Sequence, residues 1–219
     1  MAAPIEIREA SIGYAGRIVL RDVALTIRAG ERIAVVGRSG AGKSTLLNVI
    51  YERCAGAAAL VPQSAALVRQ LSVFHNVFMG RLDRHPTLYN LKTLAWPGRR
   101  DVEAVERILR PLGLADAIFR RAGELSGGQQ QRASVARALY NGRAVVIGDE
   151  PVSALDQAQG AAVLDIFAQE GRTLVFALHD VALALAHATR VLALDDGRIA
   201  LDAPARSLRA DDLTRFYAQ

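Results

Sequence analysis

Eight residues restrict this chain more than any other stretch: Gly37-Arg38-Ser39-Gly40-Ala41-Gly42-Lys43-Ser44, a loop of the form G-x-x-x-x-G-K-[ST]. Before it runs Arg32-Ile33-Ala34-Val35-Val36, which reads as a buried strand, and after it Thr45 to Ile50 continues with a helix-like pattern. Along the chain strands alternate with helices, which implies an α/β fold with a mostly parallel sheet wrapped by helices, and the phosphate site is then expected at the carboxyl ends of the strands. Glycines 37, 40 and 42 permit positive φ and let backbone N–H groups approach an anion, while the helix start adds partial positive charge. Lys43 is expected to reach the β- and γ-phosphates and Ser44 to place its hydroxyl on Mg²⁺. Of the 27 basic residues only Lys43 and Lys92 are lysines, so the compact ammonium is kept where a planar guanidinium would not serve.

A second anion-binding element follows at Leu125-Ser126-Gly127-Gly128-Gln129. Ser126 has the chemistry of an N-cap, and Gln129 to Leu139 reads as a helix with Ala133, Ala136, Leu139 and Tyr140 on one face. Taken as structure alone this is a capped helix, but two glycines weaken a helix and point to close approach by another group.

Leu-Ser-Gly-Gly-Gln is the signature of the ATP-binding cassette family, which the chain resembles along almost its whole length. The resemblance implies that the signature of one subunit, Ser126 to Gln129, caps the γ-phosphate of ATP held by the loop of another. A head-to-tail dimer with two ATP molecules at its interface follows, and the loop contacts fall on Gly37, Arg38, Ser39, Gly40, Ala41, Gly42, Lys43, Ser44 and Thr45. Ala144 to Glu150 is a buried strand closed by two acids: Asp149 would hold Mg²⁺, partly through water, and Glu150 would be the general base on the attacking water. Ser153-Ala154-Leu155-Asp156 resembles the loop that links the two ATP sites, with Gln157 where members commonly carry Pro. His179, closing the apolar run Thr173 to Leu178, takes the place of the switch histidine and would position rather than deprotonate the water. Gln63 matches a glutamine that touches Mg²⁺ and links the site to the transport pore, and Tyr14 an aromatic that stacks on adenine. Lys43, Glu150 and His179 form the implied catalytic set.

One departure is plain: only Leu46 to Leu60 separates the loop from the Gln63 segment, and Cys54-Ala55-Gly56-Ala57-Ala58-Ala59 is poor in strand-forming residues. The expectation is a P-loop NTPase fold of the cassette type: a mostly parallel sheet wrapped by helices, a helical signature subdomain at about 71–140, and an antiparallel layer open to reduction. With 219 residues the chain is expected to be one nucleotide-binding domain spanning 1–219.

Ile5 to Ile27 reads as short strands with turns near Gly13, Gly16 and Gly30; Asp101 as the N-cap of a helix through Leu112; Arg190 to Leu201 as a hairpin turned by Asp195-Asp196-Gly197; and Asp211 to Tyr217 as a final helix. A single cysteine, Cys54, excludes an internal disulfide and fits a reducing compartment. Met1 to Glu9 holds no apolar run of secretory type, and Leu174 to Leu194 is interrupted by His179, Asp180, His187 and Arg190, so it is not read as a membrane span. The net charge of +5 comes from scattered arginines without interleaved aromatics, and no nucleic-acid partner is expected.

The segment Leu71 to Trp96, together with Gln129-Gln130-Gln131-Arg132, resembles the ATPase subunits of phosphonate or phosphite importers. Val73, Val77 and Phe78 form a helical stripe that is either core or part of the grip on a permease. The implied partners are a second copy, transmembrane permease subunits and, indirectly, a solute-binding protein, at the cytoplasmic face of the cell (inner) membrane. The alternative is a non-transport ATPase in a soluble complex such as carbon–phosphorus bond cleavage, or one serving an export or cell-division complex.

Overall fold

Continuous apolar runs bury on both faces, and three of them set the centre of the fold as parallel strands. The computed structural model describes residues 4–14, 16–169 and 171–217; of Ala10 and Tyr14 it describes the backbone alone. In chain order the elements are β1 (Ile5–Tyr14), β2 (Arg17–Ile27), β3 (Arg32–Val36), α1 (Lys43–Arg53), β4 (Ala58–Val61), α2 (Val73–Phe78), α3 (Thr87–Ala95), α4 (Arg99–Leu109) and α5 (Gly127–Asn141). There follow β5 (Val145–Asp149), α6 (Gln157–Gln169), β6 (Thr173–Ala177), α7 (Val181–His187), β7 (Arg190–Asp195), β8 (Arg198–Pro204) and α8 (Ala210–Thr214). The chain divides into two compact units, Met1–Leu60 with Ala144–Gln219, and Val61–Arg143.

The first unit carries a six-stranded sheet in the order β4-β5-β6-β3-β7-β8. Strands β5, β6, β3 and β7 run parallel, and β8 returns antiparallel to β7. Ala177 of β6 lies opposite both Val35 of β3 and Asp149 of β5. Three strands therefore end level, and the segments that leave them emerge side by side at the carboxyl edge, where ligands of such sheets bind. The β7–β8 turn uses Asp196 (φ 42°) and Gly197 (φ 71°), the left-handed pair of a tight Asp-Gly hairpin.

β1 and β2 form a separate antiparallel hairpin with a bulge between Ile12 and Gly13. Its Ile7, Leu20, Val23, Leu25 and Ile27 join Leu46, Leu47 and Ile50 of α1 in one core cluster with Val35 and Leu192. Each such side chain contributes about 1.5–3 kcal/mol when fully buried. Among the described residues the second sheet is this pair of strands alone, longer than the short strands expected. β4 departs from the composition reading. Ala58 and Ala59, from the stretch judged poor in strand formers, are buried in a strand, because a place in the sheet outweighs a weak intrinsic preference.

The second unit is helical. Phe74 and Val77 of α2, Val105 and Leu109 of α4, and Val135 and Leu139 of α5 are all buried, so the Val73–Val77–Phe78 stripe is core. Asp101 is not the cap of α4. That helix starts earlier, after Gly98, and the Asp101 carboxylate in its first turn accepts from the Tyr89 hydroxyl (2.7 Å). It ends at Leu109 rather than Leu112, and Gly113 (φ 64°) lies beyond its end.

Candidate active site

The phosphate loop is held open by its own backbone. Gly37, Gly40 and Gly42 take φ of 146°, 80° and 100°, as their spacing led one to expect. At Gly37 a Cβ would sit 2.6 Å from the Leu194 carbonyl oxygen, so no other residue fits there. Gly42 is the N-cap of α1 and offers no side chain to cap it, leaving the first N–H groups of the helix without an intrahelical acceptor. Lys43 is buried, and its Nζ donates to the carbonyl oxygens of Gly37 (2.7 Å) and Arg38 (3.0 Å). Burial pushes the ammonium below its ordinary pKa, while the nearby carboxylates of Glu150 and Asp149 pull it back up. The lysine thus rests on the loop it serves, with two acids close enough to act on it.

Those acids close β5. Asp149 is its last residue, and Glu150, the next, turns the chain with φ 52°. A glutamate there costs on the order of 1 kcal/mol. It is held by its N–H to the Ala177 carbonyl (3.2 Å) and by its own carbonyl, which accepts from Ser153 N (3.2 Å) and Oγ (3.1 Å). From the neighbouring strand end, His179 brings Nε2 into hydrogen-bond contact with Glu150 Oε1. The imidazole is half-exposed and the carboxylate largely covered.

A residue that spacing did not single out joins this group. The Tyr217 hydroxyl donates to the Leu178 carbonyl (2.8 Å), and its ring lies tilted against His179 at 6.5 Å between centroids. Burial, with the Asp180 charge, raises the phenol's pKa. Gly37, Arg38, Ser39, His179 and Tyr217 line one recess of about 410 Å³. Arg38 to Ala41 also border a cleft of about 650 Å³ whose lining includes Arg17, Ile18 and Arg21. Ile18 is half-exposed on that wall, and the Arg38 guanidinium is tied to Asp195 (2.8 Å). Only the Asp-Gly hairpin signal at 195–197 hinted at this wall; Tyr217 left no trace in local pattern.

Not every candidate is gathered here. Asp156 caps α6, its carboxylate accepting from Gln159 N (2.8 Å), and Gln157 is the first residue of that helix. Proline is favoured at a first helical position because that N–H has no partner anyway, so Gln157 is a mild change. Gln63 is exposed in the second unit. There α5 begins at Gly127, two residues earlier than expected, with a reciprocal capping box: Ser126 Oγ accepts from Gln129 N (3.3 Å) and Gln129 Oε1 from Ser126 N (3.0 Å). The side chain of Tyr14 lies outside the described residues.

The Ser44 hydroxyl and the Asp149 carboxylate are hard oxygen donors of the kind Mg²⁺ takes. Among the described residues no cluster of three or more His, Cys, Asp or Glu could hold a metal unaided. Two such oxygens are a donor set that would fit Mg²⁺ bound together with a phosphate ligand.

Comparison with known proteins agrees with this geometry. The ABC transporter family profile matches residues 20–153. The phosphonates import ATP-binding protein of Pseudomonas putida is 38% identical over 245 aligned positions, covering 99% of this chain and 90% of that protein. That alignment is longer than the 219 residues here, so the relative carries residues that this chain lacks. The namesake of Anaeromyxobacter dehalogenans is 35% identical over 97% of this chain, which spans only 48% of its length. A dimeric bacterial ABC transporter cassette superposes with a TM-score of 0.79 at 25% identity, covering 93% of this chain and 99% of that one. A cassette bound to ADP and phosphate gives 0.78 at 24% identity, over the same shares of the two chains. With a level row of strand ends carrying the loop, the acids and the histidine, and with these matches, the chain belongs to the ABC transporter family, whose members bind and hydrolyse ATP.

Proposed function

We propose that this chain is the ATP-hydrolysing motor subunit of an importer for phosphonate or a related phosphorus oxyanion, working as a head-to-tail dimer on a membrane permease. The observation that carries the motor reading is the level ending of β3, β6 and β5, which sets Lys43, Asp149, Glu150 and His179 around one loop. The substrate class rests on the names of the relatives, which favour import over a soluble, export or cell-division complex.

ATP enters with its phosphates over Gly37 to Thr45, and its base and ribose lie in the cleft beside Ile18 and Arg38, on the side of the loop where Tyr14 closes β1. Lys43 exchanges its two loop carbonyls for β- and γ-phosphate oxygens, a trade of hydrogen bonds worth about 1.5–3 kcal/mol each when charged. On the family resemblance Ser44, Asp149 and Gln63 are the residues that would hold Mg²⁺, which when bound would supply charge neutralisation on the phosphates. Glu150 takes the proton of the attacking water as its oxygen bonds to the γ-phosphorus and the bridging oxygen leaves with ADP. His179 orients that carboxylate and steadies the γ-phosphate, a contribution of position. Ser126 to Gln129 of a second copy close the site over the γ-phosphate, and Asp156 lies on the loop linking the two ATP molecules.

The two compact units act on this reading as one nucleotide-binding domain at the cytoplasmic face of the membrane. No helix of the described residues is long and apolar enough to cross a bilayer, in keeping with a peripheral subunit. Tagged Glu150→Gln protein, purified with ATP from detergent-solubilised cells, is expected to bring down a multi-span permease. ATP turnover is expected to rise when that permease meets its binding protein loaded with phosphonate. Recovery of soluble enzymes alone would overturn the transport reading.

A further inference from the structure

Helix α3 is built the wrong way round for water. The residues that fix it to its unit are polar. The Tyr89 hydroxyl donates to Asp101 (2.7 Å) and its ring stacks on His85 at 4.8 Å. Asn90 Nδ2 donates to the Leu82 carbonyl (3.0 Å), and Thr93 is 2% exposed. The apolar residues point outward instead: Leu88, Leu91, Leu94 and Trp96 are 79%, 59%, 51% and 76% exposed. The three leucines recur every third residue and so share one side of the helix, with Trp96 at its end. A lone exposed leucine needs no explanation, but a stripe of them ending in tryptophan marks an interaction surface.

The rim of that stripe is positive. From Arg81 to Arg100 the only acid is Asp83, and it is engaged by Arg143 (2.6 Å). Arg84, Lys92, Arg99 and Arg100 are all exposed, Arg99 sharing a surface pair with Glu103. A second copy docked face to face would set this cationic rim against itself. We propose that the α3 face docks on an anionic phospholipid surface. Leucines and an indole enter the headgroup boundary while Arg and Lys side chains reach back to the phosphates. The surface lies wholly in the second unit and needs no nucleotide, so it stands or falls apart from the motor reading.

Trp96 is the only tryptophan of the chain, so its emission reports this face alone. The purified chain is titrated with vesicles of phosphatidylcholine, with or without about a third phosphatidylglycerol. On the anionic vesicles Trp96 emission shifts to the blue, acrylamide quenching falls, and co-sedimentation exceeds that on neutral vesicles by on the order of tenfold, an excess that added salt removes. Leu91→Ser with Leu94→Ser, exposed changes at residues given no part in binding or hydrolysing ATP, abolish the blue shift and leave ATP turnover intact. Emission unchanged by either vesicle would overturn the proposal. So would shielding of Trp96 that appears without lipid, on adding permease or on concentrating the chain, because the face would then belong to a protein. Equal sedimentation of the double variant would reduce the binding to general charge attraction and overturn it as well.

Discussion

The chain begins two helices in opposite ways. At α1 the cap position is Gly42, left-handed and without a side chain to offer, and the N–H groups of the first turn await an acceptor. At α5 Ser126 and Gln129 satisfy each other's backbone N–H groups, and only those of Gly127 and Gly128 keep no intrahelical acceptor. The first start is shaped by glycines beside a buried lysine, and on the proposed reading it receives the phosphates. The second is a finished helix end with bare glycine at its tip. A helix start left open by glycine suits direct capture of an anion, whereas one that caps itself is stable alone, which on the proposed reading lets a second copy present it.

Substitutions can break or sharpen that contrast. The largest effect is expected from Glu150→Gln, which removes the proposed base and should lower turnover by roughly 10²–10⁴-fold with ATP binding retained. Near-normal steady-state hydrolysis would remove Glu150 from its role. Lys43→Ala deletes the ammonium of the receptor end and should weaken ATP binding by about 10- to 100-fold in a calorimetric titration. Unchanged affinity would mean that the loop amides alone hold the phosphates. Gly37→Ala sets a methyl 2.6 Å from the Leu194 carbonyl and should cost about 1–3 kcal/mol in chemical denaturation, with weaker nucleotide binding alongside.

At the self-capped end the pattern should reverse. Ser126→Ala loses a cap worth about 1 kcal/mol and should leave ATP binding by the single chain untouched, while lowering turnover that depends on pairing. A fall in single-chain affinity would erase the distinction between the two starts. Smallest of all, Tyr217→Phe frees the Leu178 carbonyl and should lower stability by about 1 kcal/mol, with turnover reduced less than by Tyr217→Ala. Equal turnover in the two variants would show that the ring against His179 contributes nothing.

Much of this was legible in the residues because continuous apolar runs and glycine spacing are local signals. The runs at 32–36, 144–150 and 173–178 read as buried strands, and they are strands in one sheet, while the meeting of Glu150 and His179 at its carboxyl edge was implied by the family resemblance and not by the runs themselves. Glu150 was expected inside its strand, but the chain reverses at it, a conformation that no residue preference announces. β4 was hidden because alanine has no strand signal until a sheet edge takes it up. Tyr217 and the cleft wall at Arg17 and Ile18 come from distant parts of the chain, and contact of that kind leaves no period to read. The inside-out polarity of α3 was invisible for a related reason: its leucine spacing looks like core until the fold turns it outward.

The most direct test of the two-start account is the mass of Glu150→Gln protein in sedimentation with and without ATP. A single 23.5 kDa chain is expected in buffer, and a species of twice that mass when ATP and Mg²⁺ are added, lost again on Ser126→Ala or Gly127→Val. A chain that binds ATP tightly yet stays at the mass of one copy would contradict it, because the capped helix would then have no phosphate to meet.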